Sequence, residues 1–304
     1  MSRKKPAAVS GVLIINKHEG VTSHKIVSIL RKLYDMSQIG HTGTLDPMAT
    51  GVLPILLGRA AKASGYLMAE DKEYEAEMTL GITTDTQDVT GTVLSECSRI
   101  PDEKRVAEVC RSFTGEILQI PPMYSAIKIG GKKLYDIARK GEVIEREPRK
   151  ITVSSLVPEK INDREYRLKI KCSKGTYVRT LCADIGDALG CGAVMSRLCR
   201  TRSGPFTLDR SFTVKEIEEM TFEERLSLPM PTERLFDDLP RLEVNDFCAK
   251  LVKGGNELYQ KKLGTSFPDG ALIRICGPEG FIALGMVSEF PSGSAIKAVK
   301  LFIL

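Results

Sequence analysis

Residues 40–54 read G-H-T-G-T-L-D-P-M-A-T-G-V-L-P, with three glycines (Gly40, Gly43, Gly51) and two prolines (Pro47, Pro54). That density of turn residues argues against a helix or strand running through the stretch and for a loop. Its carboxylate, Asp46, precedes Pro47, which biases Asp46 towards an extended backbone. His41 and the hydroxyls of Thr42, Thr44 and Thr50 stand close in sequence, and the apolar Leu45 and Met48 suit a loop seated on a core. Taken by itself the stretch fits a structural turn built on the Asp46 side chain. The flanking chain decides whether it is more than that.

On the N-terminal side, Gly11 to Asn16 is a short apolar run behind a glycine, which predicts a buried strand. Thr22 or Ser23 then caps a helix whose Ile26, Ile29, Leu30 and Leu33 share one face. On the C-terminal side, Leu53 to Leu57 is apolar, and Arg59 to Met68 predicts a short helix carrying Lys62. Glu73 to Leu80 alternates, with Tyr74, Ala76, Met78 and Leu80 on one face and Glu73, Glu75, Glu77 and Thr79 on the other. A buried tyrosine hydroxyl at Tyr74 needs a partner or a use. Asp85 to Gly91 is a polar turn, and Asp102 to Phe113 a helix with Val106, Val109, Cys110 and Phe113 inward.

Pro121 to Lys133 mixes Pro-Pro, Gly-Gly, one tyrosine and three lysines, and Pro121 to Lys150 reads as a projecting, partly mobile basic segment. Glu165 to Cys172 predicts a strand whose outer face, Arg167, Lys169 and Lys171, is a row of cations placed for phosphates. Lys174 to Thr180, K-G-T-Y-V-R-T, leads into a helix with Leu181, Cys182, Ile185 and Leu189 inward. Arg179 falls in its first turn, where a cation opposes the helix dipole. A local misfit of that kind points to use rather than folding. Met195 to Arg202 carries Leu198 among Arg197, Arg200 and Arg202. Beyond about Pro240, short strands at 241–244, 271–276, 281–286 and 295–302 alternate with Gly- and Pro-rich turns, a compact β module.

Composition sets the outer limits. The 304 residues suffice for one large and one small domain. No apolar run is long enough to span a bilayer, and the basic N-terminus lacks the apolar core of a signal peptide. The eight cysteines form no C-x-x-C pair and, with three histidines, do not suggest a metal site; they are expected as buried, reduced thiols. The net charge is +5 but uneven. Residues 128–150 hold eight Lys/Arg against four Asp/Glu, and residues 167–202 hold eight against two. Basic charge gathered in two segments is the footprint of a polyanion binder.

These motifs converge. The chain resembles the bacterial tRNA pseudouridine synthase B (TruB) family, through G-V-L-I-I-N-K-H-E-G, the 40–54 stretch with Lys62 after it, D-K-E-Y-E-A, T-D-T-Q-D-V-T-G, P-P-M-Y-S-A-I-K-I-G-G-K-K-L-Y and C-S-K-G-T-Y-V-R-T. The resemblance implies isomerisation of uridine 55 in the tRNA T-arm to pseudouridine, without cofactor or metal. It implies Asp46 as nucleophile, Arg179 as its cationic partner and Tyr74 packed on the target uracil. His41 would fill the place of the flipped base, Tyr177 and Leu198 would line the pocket, and Lys17, Lys62 and Asp88 would complete the substrate-binding set. The fold implied is α+β: a catalytic domain on a large mixed, mainly antiparallel sheet over residues 11–236, with the RNA-binding segment 121–150. A basic arm over 1–10 precedes it and a small PUA-like RNA-binding β domain over 237–304 follows.

The expected partner is tRNA, through the T-arm and in part the acceptor stem, for a cytoplasmic monomer without membrane contact or guide RNA. Two other readings remain open at this point. One is a tRNA-folding helper that binds more than it catalyses. The other is the catalytic subunit of a guide-RNA-dependent complex, which the 121–150 segment and the lack of a charged C-terminal tail disfavour.

Overall fold

The computed structural model describes residues 9–125 and 127–303. The expected basic arm lies, up to residue 8, outside the described residues. In chain order the first body begins with β1 (Gly11–Lys17), α1 (Ser23–Leu33), β2 (Ile39–His41), β3 (Thr50–Leu57), a 3-10 helix (Gly58–Ala63), α2 (Ser64–Ala69) and β4 (Lys72–Leu80). The hairpin β5–β6 (Ile82–Thr84, Val93–Glu96), α3 (Glu103–Ser112), β7 (Gly115–Gln119), the hairpin β8–β9 (Lys128–Ile129, Lys132–Lys133) and α4 (Leu134–Ala138) follow. It closes with β10 (Arg149–Lys160), β11 (Glu165–Cys172), α5 (Val178–Leu189), β12 (Ala193–Ser203), β13 (Phe206–Thr207), α6 (Val214–Glu219) and α7 (Phe222–Ser227).

Seven of these strands form the spine of one sheet, in the order β1-β3-β12-β4-β11-β10-β7. Within it β12 and β3 run parallel and the other neighbours antiparallel, so the sheet is mixed and mainly antiparallel. Side-chain alternation shows how each strand is covered. β1 and β3 are continuous apolar runs because both faces are buried. Leu13, Ile15, Leu53, Ile55 and Leu57 enter the main core, and Val12, Ile14, Val52 and Leu56 a second core on the other face. β4 and β11 alternate because one face alone is covered: Ala76, Met78 and Leu80 meet Leu168, Ile170 and Cys172 in the main core. The apolar stripes of α1 (Ile26, Val27, Leu30), α3 (Val106, Val109, Cys110) and α5 (Leu181, Cys182, Ile185) close that core from one side.

The outer face of β11 differs from the sequence expectation. Register brings Arg167 beside Glu77 at 3.5 Å and Lys171 beside Glu73 at 3.0 Å, both on β4, while Lys169 meets Glu159 of β10 at 2.6 Å. The row of cations is therefore ion-paired across strands instead of free for phosphates. Two of the carboxylates that neutralise it, Glu73 and Glu77, were visible as the outward face of β4; only the strand order shows that the two faces adjoin.

Regular structure also reaches further into the 40–54 stretch than its turn residues suggest. β2 ends at His41 and β3 starts at Thr50, which leaves 42–49 as the irregular part. Gly51 makes this possible. Its φ is +101°, and a Cβ there would stand 2.2 Å from the Arg200 carbonyl oxygen. Glycine lets β3 lie against β12 at the pair Arg200–Gly51.

The second body has its own sheet and core. β14 (Arg241–Glu243), α8 (Asp246–Lys253), β15 (Leu258–Tyr259), α9 (Gln260–Leu263), β16 (Leu272–Gly277), β17 (Gly280–Phe290) and β18 (Gly293–Leu301) give the strand order β14-β16-β17-β18-β15. Leu242, Val252, Ile273, Ile275, Ile282, Val287 and Ile296 are buried within it. The sequence reading anticipated β14, β16, β17 and β18 but not β15, α9 or α8, the last of which starts where Asn245 accepts from the Cys248 N–H. An aromatic cluster joins the two bodies. Phe236, just before the Asp237–Pro240 link, packs on Phe281, Phe302 and Tyr66 at centroid distances of 5.9, 5.7 and 5.3 Å.

Candidate active site in the Asp46 cavity

A cavity of about 1020 Å³ opens where the 42–49 loop, β4, the 85–91 turn, the start of α5 and β12 meet. His41, Asp46, Tyr74, Asp88, Tyr177, Arg179 and Leu198 all line it. These seven are the expected site residues that the structure brings together, from five separate stretches of sequence. Tyr124, Ser125, Tyr135 and Arg139 of the 121–150 segment form another wall. That segment is seated on the body by Leu134 and Ile137, both buried.

The loop is held from behind. Ser23, the first residue of α1, donates its hydroxyl to the Leu45 carbonyl at 3.1 Å and accepts from the Leu45 N–H at 2.9 Å. Lys17, at the end of β1, is fully buried and donates its Nζ to the carbonyls of His18, Pro47 and Ala49. Lys17 was expected among the substrate-binding residues; its ammonium instead points into the protein and braces the backbone on both sides of Met48. Burial lowers its pKa to about 8. Lys62, also expected to bind substrate, lies away from the cavity, in a shallow hollow with Ala298, Val299, Lys300 and Leu301 at the junction of the two bodies.

Arg179 organises the floor. Its Nε stands 3.1 Å from Asp46 Oδ2, its Nη1 3.3 Å from Asp88 Oδ2, and its Nη2 donates to the Tyr124 carbonyl at 2.9 Å. The dipole misfit at the start of α5 is thus offset by two carboxylates. Asp88 is fixed in turn: its Oδ1 accepts from the Thr86 hydroxyl at 2.8 Å and the Thr90 N–H at 2.9 Å. Gln119, at the end of β7, clamps the residue before α5. It accepts from the Tyr177 N–H at 2.8 Å and donates to the Tyr177 carbonyl at 3.1 Å.

Electrostatics at Asp46 are opposed. Burial raises its pKa above the usual carboxylate value, Arg179 pulls it back, Asp88 adds to the rise and Lys17 lowers it. Burial lowers the pKa of His41, with Arg200 and then His24 acting in the same sense. The imidazole is therefore neutral at neutral pH, and its Nδ1 is buried without a hydrogen-bond partner among the described residues. The Tyr74 phenol is pushed up by burial, while Arg200 beside it lowers it by its charge.

Sequence reading missed Arg200 and Gln119. Arg200 is 1% exposed and donates its Nε to the Val52 carbonyl at 2.7 Å and its Nη2 to the Gly43 carbonyl at 3.0 Å. A signal existed, because Arg200 lies two residues from Leu198 and so shares its face in a strand. Gln119 carried no such signal.

Residues 31–178 match the model of the TruB family pseudouridylate synthase N-terminal domain, and residues 179–236 that of the tRNA pseudouridylate synthase B C-terminal domain. The chain is 41% identical over 297 residues to a tRNA pseudouridine synthase B of Clostridium tetani, covering 97% of this chain and 100% of the relative. It is 43% identical over 298 residues to that of Alkaliphilus oremlandii, covering 96% and 98%. Among solved structures, a chain from a crystal structure of a Cbf5-Nop10-Gar1 complex superposes with a TM-score of 0.69 at 28% identity, covering 96% of this chain and 85% of that one.

Proposed function

The chain belongs to the TruB family of pseudouridylate synthases, and from that premise and the Asp46 cavity we propose that it isomerises uridine 55 in the T-arm of tRNA to pseudouridine. The observation that carries the reading is the Arg179–Asp46 pair at 3.1 Å on the floor of a cavity with an aromatic wall at Tyr74. A carboxylate nucleophile has to be ionised in a pocket that takes an apolar base face. Burial works against that, and a neighbouring guanidinium restores it. Arg179 supplies the charge and a rigid fork that orients the carboxylate.

The reaction breaks the N1–C1′ bond and rejoins the base through C5, so atoms and oxidation level are conserved and no cofactor is required. The target base leaves its stack at a cost of a few kcal/mol. His41 offsets part of that cost: a neutral imidazole with an unused ring nitrogen fits the gap the base leaves. Tyr74 offers a face on which the base stacks, worth roughly 1–3 kcal/mol. Tyr177 and Leu198 confine the ring, and Asp88 keeps Arg179 in place. The second body, a PUA-like RNA-binding domain over residues 237–304 in this reading, and Lys62 beside it extend the contact towards the acceptor stem. The protein works as a cytoplasmic monomer on this reading.

Incubating purified protein with unmodified tRNA and mapping pseudouridine by position tests the proposal. Pseudouridine at position 55, lost in Asp46→Asn while tRNA binding persists, is the expected outcome. Wild-type turnover by Asp46→Asn would remove the nucleophile assignment and favour a tRNA-folding helper. The likeness to Cbf5, solved with Nop10 and Gar1, supports one alternative, dependence on partners and a guide. Activity on bare tRNA by the protein alone excludes it.

A further inference from the structure

Arg200 on β12 is 1% exposed, and among the described residues no carboxylate pairs with it. An isolated buried guanidinium is costly, so its contacts have to account for it. Its backbone pairs with Gly51 of β3 on one side and Tyr74 of β4 on the other. Its side chain donates to the Val52 and Gly43 carbonyls, and as the cross-strand partner of Tyr74 it lines the same cavity, where its charge acts on the phenol. One side chain therefore ties the Asp46 loop to the tyrosine on the opposite wall. Gly43 leaves it room: φ there is +75°, and a Cβ would stand 3.3 Å from Arg200 Nη1.

Resting on the pseudouridine synthase reading above, we propose that Arg200 is a positioning residue that acts through Tyr74, holding the phenol oxygen where it takes the proton from C5 of the rejoined base. In that step the C5–H bond breaks and the proton passes to the Tyr74 oxygen, which has given its own proton to water, so that the phenol is restored. The C5–H electron pair forms the C5–C6 double bond, the π pair of the C6=N1 double bond moves onto N1, and N1 takes a proton from water. Nothing is oxidised or reduced. A guanidinium charge beside the phenol oxygen favours the phenolate. Burial opposes it, and so do the two other groups facing Tyr74, Cys172 of β11 and Asp46 of the loop.

The test uses tRNA deuterated at uridine C5 under single-turnover conditions. Arg200→Lys and Arg200→Gln, with unchanged thermal unfolding and tRNA affinity, should slow pseudouridine formation by about 10²-fold, the scale of lost general-base assistance. They should also show a larger C5 deuterium isotope effect than wild type, because proton removal becomes the slow step. In a Tyr74→Phe background, Arg200→Lys should add no further loss. Additive losses in the double variant, or slowing without a larger isotope effect, overturn the proposal. If both Arg200 variants unfold, Gly43→Ala, which crowds the guanidinium without removing it, is read out in the same two ways. Failure of wild type to form pseudouridine would instead sink the underlying reading.

Discussion

Arg179 Nε lies 3.1 Å from Asp46 Oδ2, and the pair is unequal: the arginine side chain is 7% exposed and the aspartate 36%. The cation is fixed within the protein and the carboxylate faces the cavity. That asymmetry suits a site in which one partner reacts and the other only holds. The opposite edge of the same guanidinium reaches Asp88 at 3.3 Å, so Asp88 bears on Asp46 through Arg179.

Asp88→Asn keeps the shape of the 85–91 turn but weakens the grip on Arg179. The expected result is a fall in kcat of up to about 10²-fold, the cost of a misplacement near 1 Å, with little change in KM. Stopped single-turnover kinetics at saturating enzyme measures it. Unaltered kcat would show that Thr86 and Tyr124, which also accept from Arg179, hold the guanidinium unaided.

Acid should silence the site earlier than an ordinary aspartate would allow. The pKa of Asp46 is raised, chiefly by burial, so as pH falls the carboxylate protonates above the usual value near 3.9. The same sign applies to stability: ionised Asp46 costs stability at neutral pH, and the cost is relieved as pH falls through the folded pKa. Arg179→Gln removes the main lowering influence and should move the acid limb of the rate profile to higher pH. A limb that stays put in that variant would separate Asp46 from the titration.

Much of this site was legible beforehand because its signals are local. Asp-Pro among glycines, a tyrosine leading an alternating strand and an arginine at a helix start each violate a simple folding preference within a few residues. What was not legible depends on strand order. Lys171 and Glu73 are read as separate faces until β11 is set beside β4. Arg200 looks like one surface arginine of three until β12 is placed between β3 and β4, where both sides are covered. Lys17 differs again: a strand-end lysine reads as exposed, and its burial follows from two carbonyls that the 42–49 loop turns towards it, Pro47 and Ala49, together with that of the neighbouring His18.

The corrected charge pattern makes a prediction about RNA affinity. Lys174 and Arg139 are exposed and line the cavity, whereas Lys169 is held at 2.6 Å by Glu159. Removing Lys174 or Arg139 should lower the slope of log affinity against log salt by about 1 each, as for a lost phosphate contact. Lys169→Ala should leave it unchanged. Filter binding of tRNA across a salt series gives the slopes, and equal slopes for all three variants would return the cation row of β11 to the RNA surface.

Lys17→Met tests whether the brace under the loop matters for folding as well as for geometry. The substitution leaves the carbonyls of His18, Pro47 and Ala49 without their donor, and each buried acceptor left unpaired costs roughly 1–3 kcal/mol. Losing a buried charge offsets part of this, so the net loss should be about the cost of one such group, roughly 1–3 kcal/mol. The pH dependence identifies the cause. The folded pKa of Lys17 is about 8, below its ordinary 10.5. Between those values the unfolded chain binds more protons than the folded one, so this group makes wild-type stability rise with pH across that window. Below pH 8 both states are protonated and the penalty stands in full. Lys17→Met lacks the titration, so the stability gap between wild type and variant should widen from pH 7 to pH 10, since deprotonated wild type keeps two of its three N–H donors without the charge penalty. Urea unfolding at several pH values measures the gap. A constant gap would mean that the amine keeps the same proton in both states, and the brace would then be a matter of packing alone.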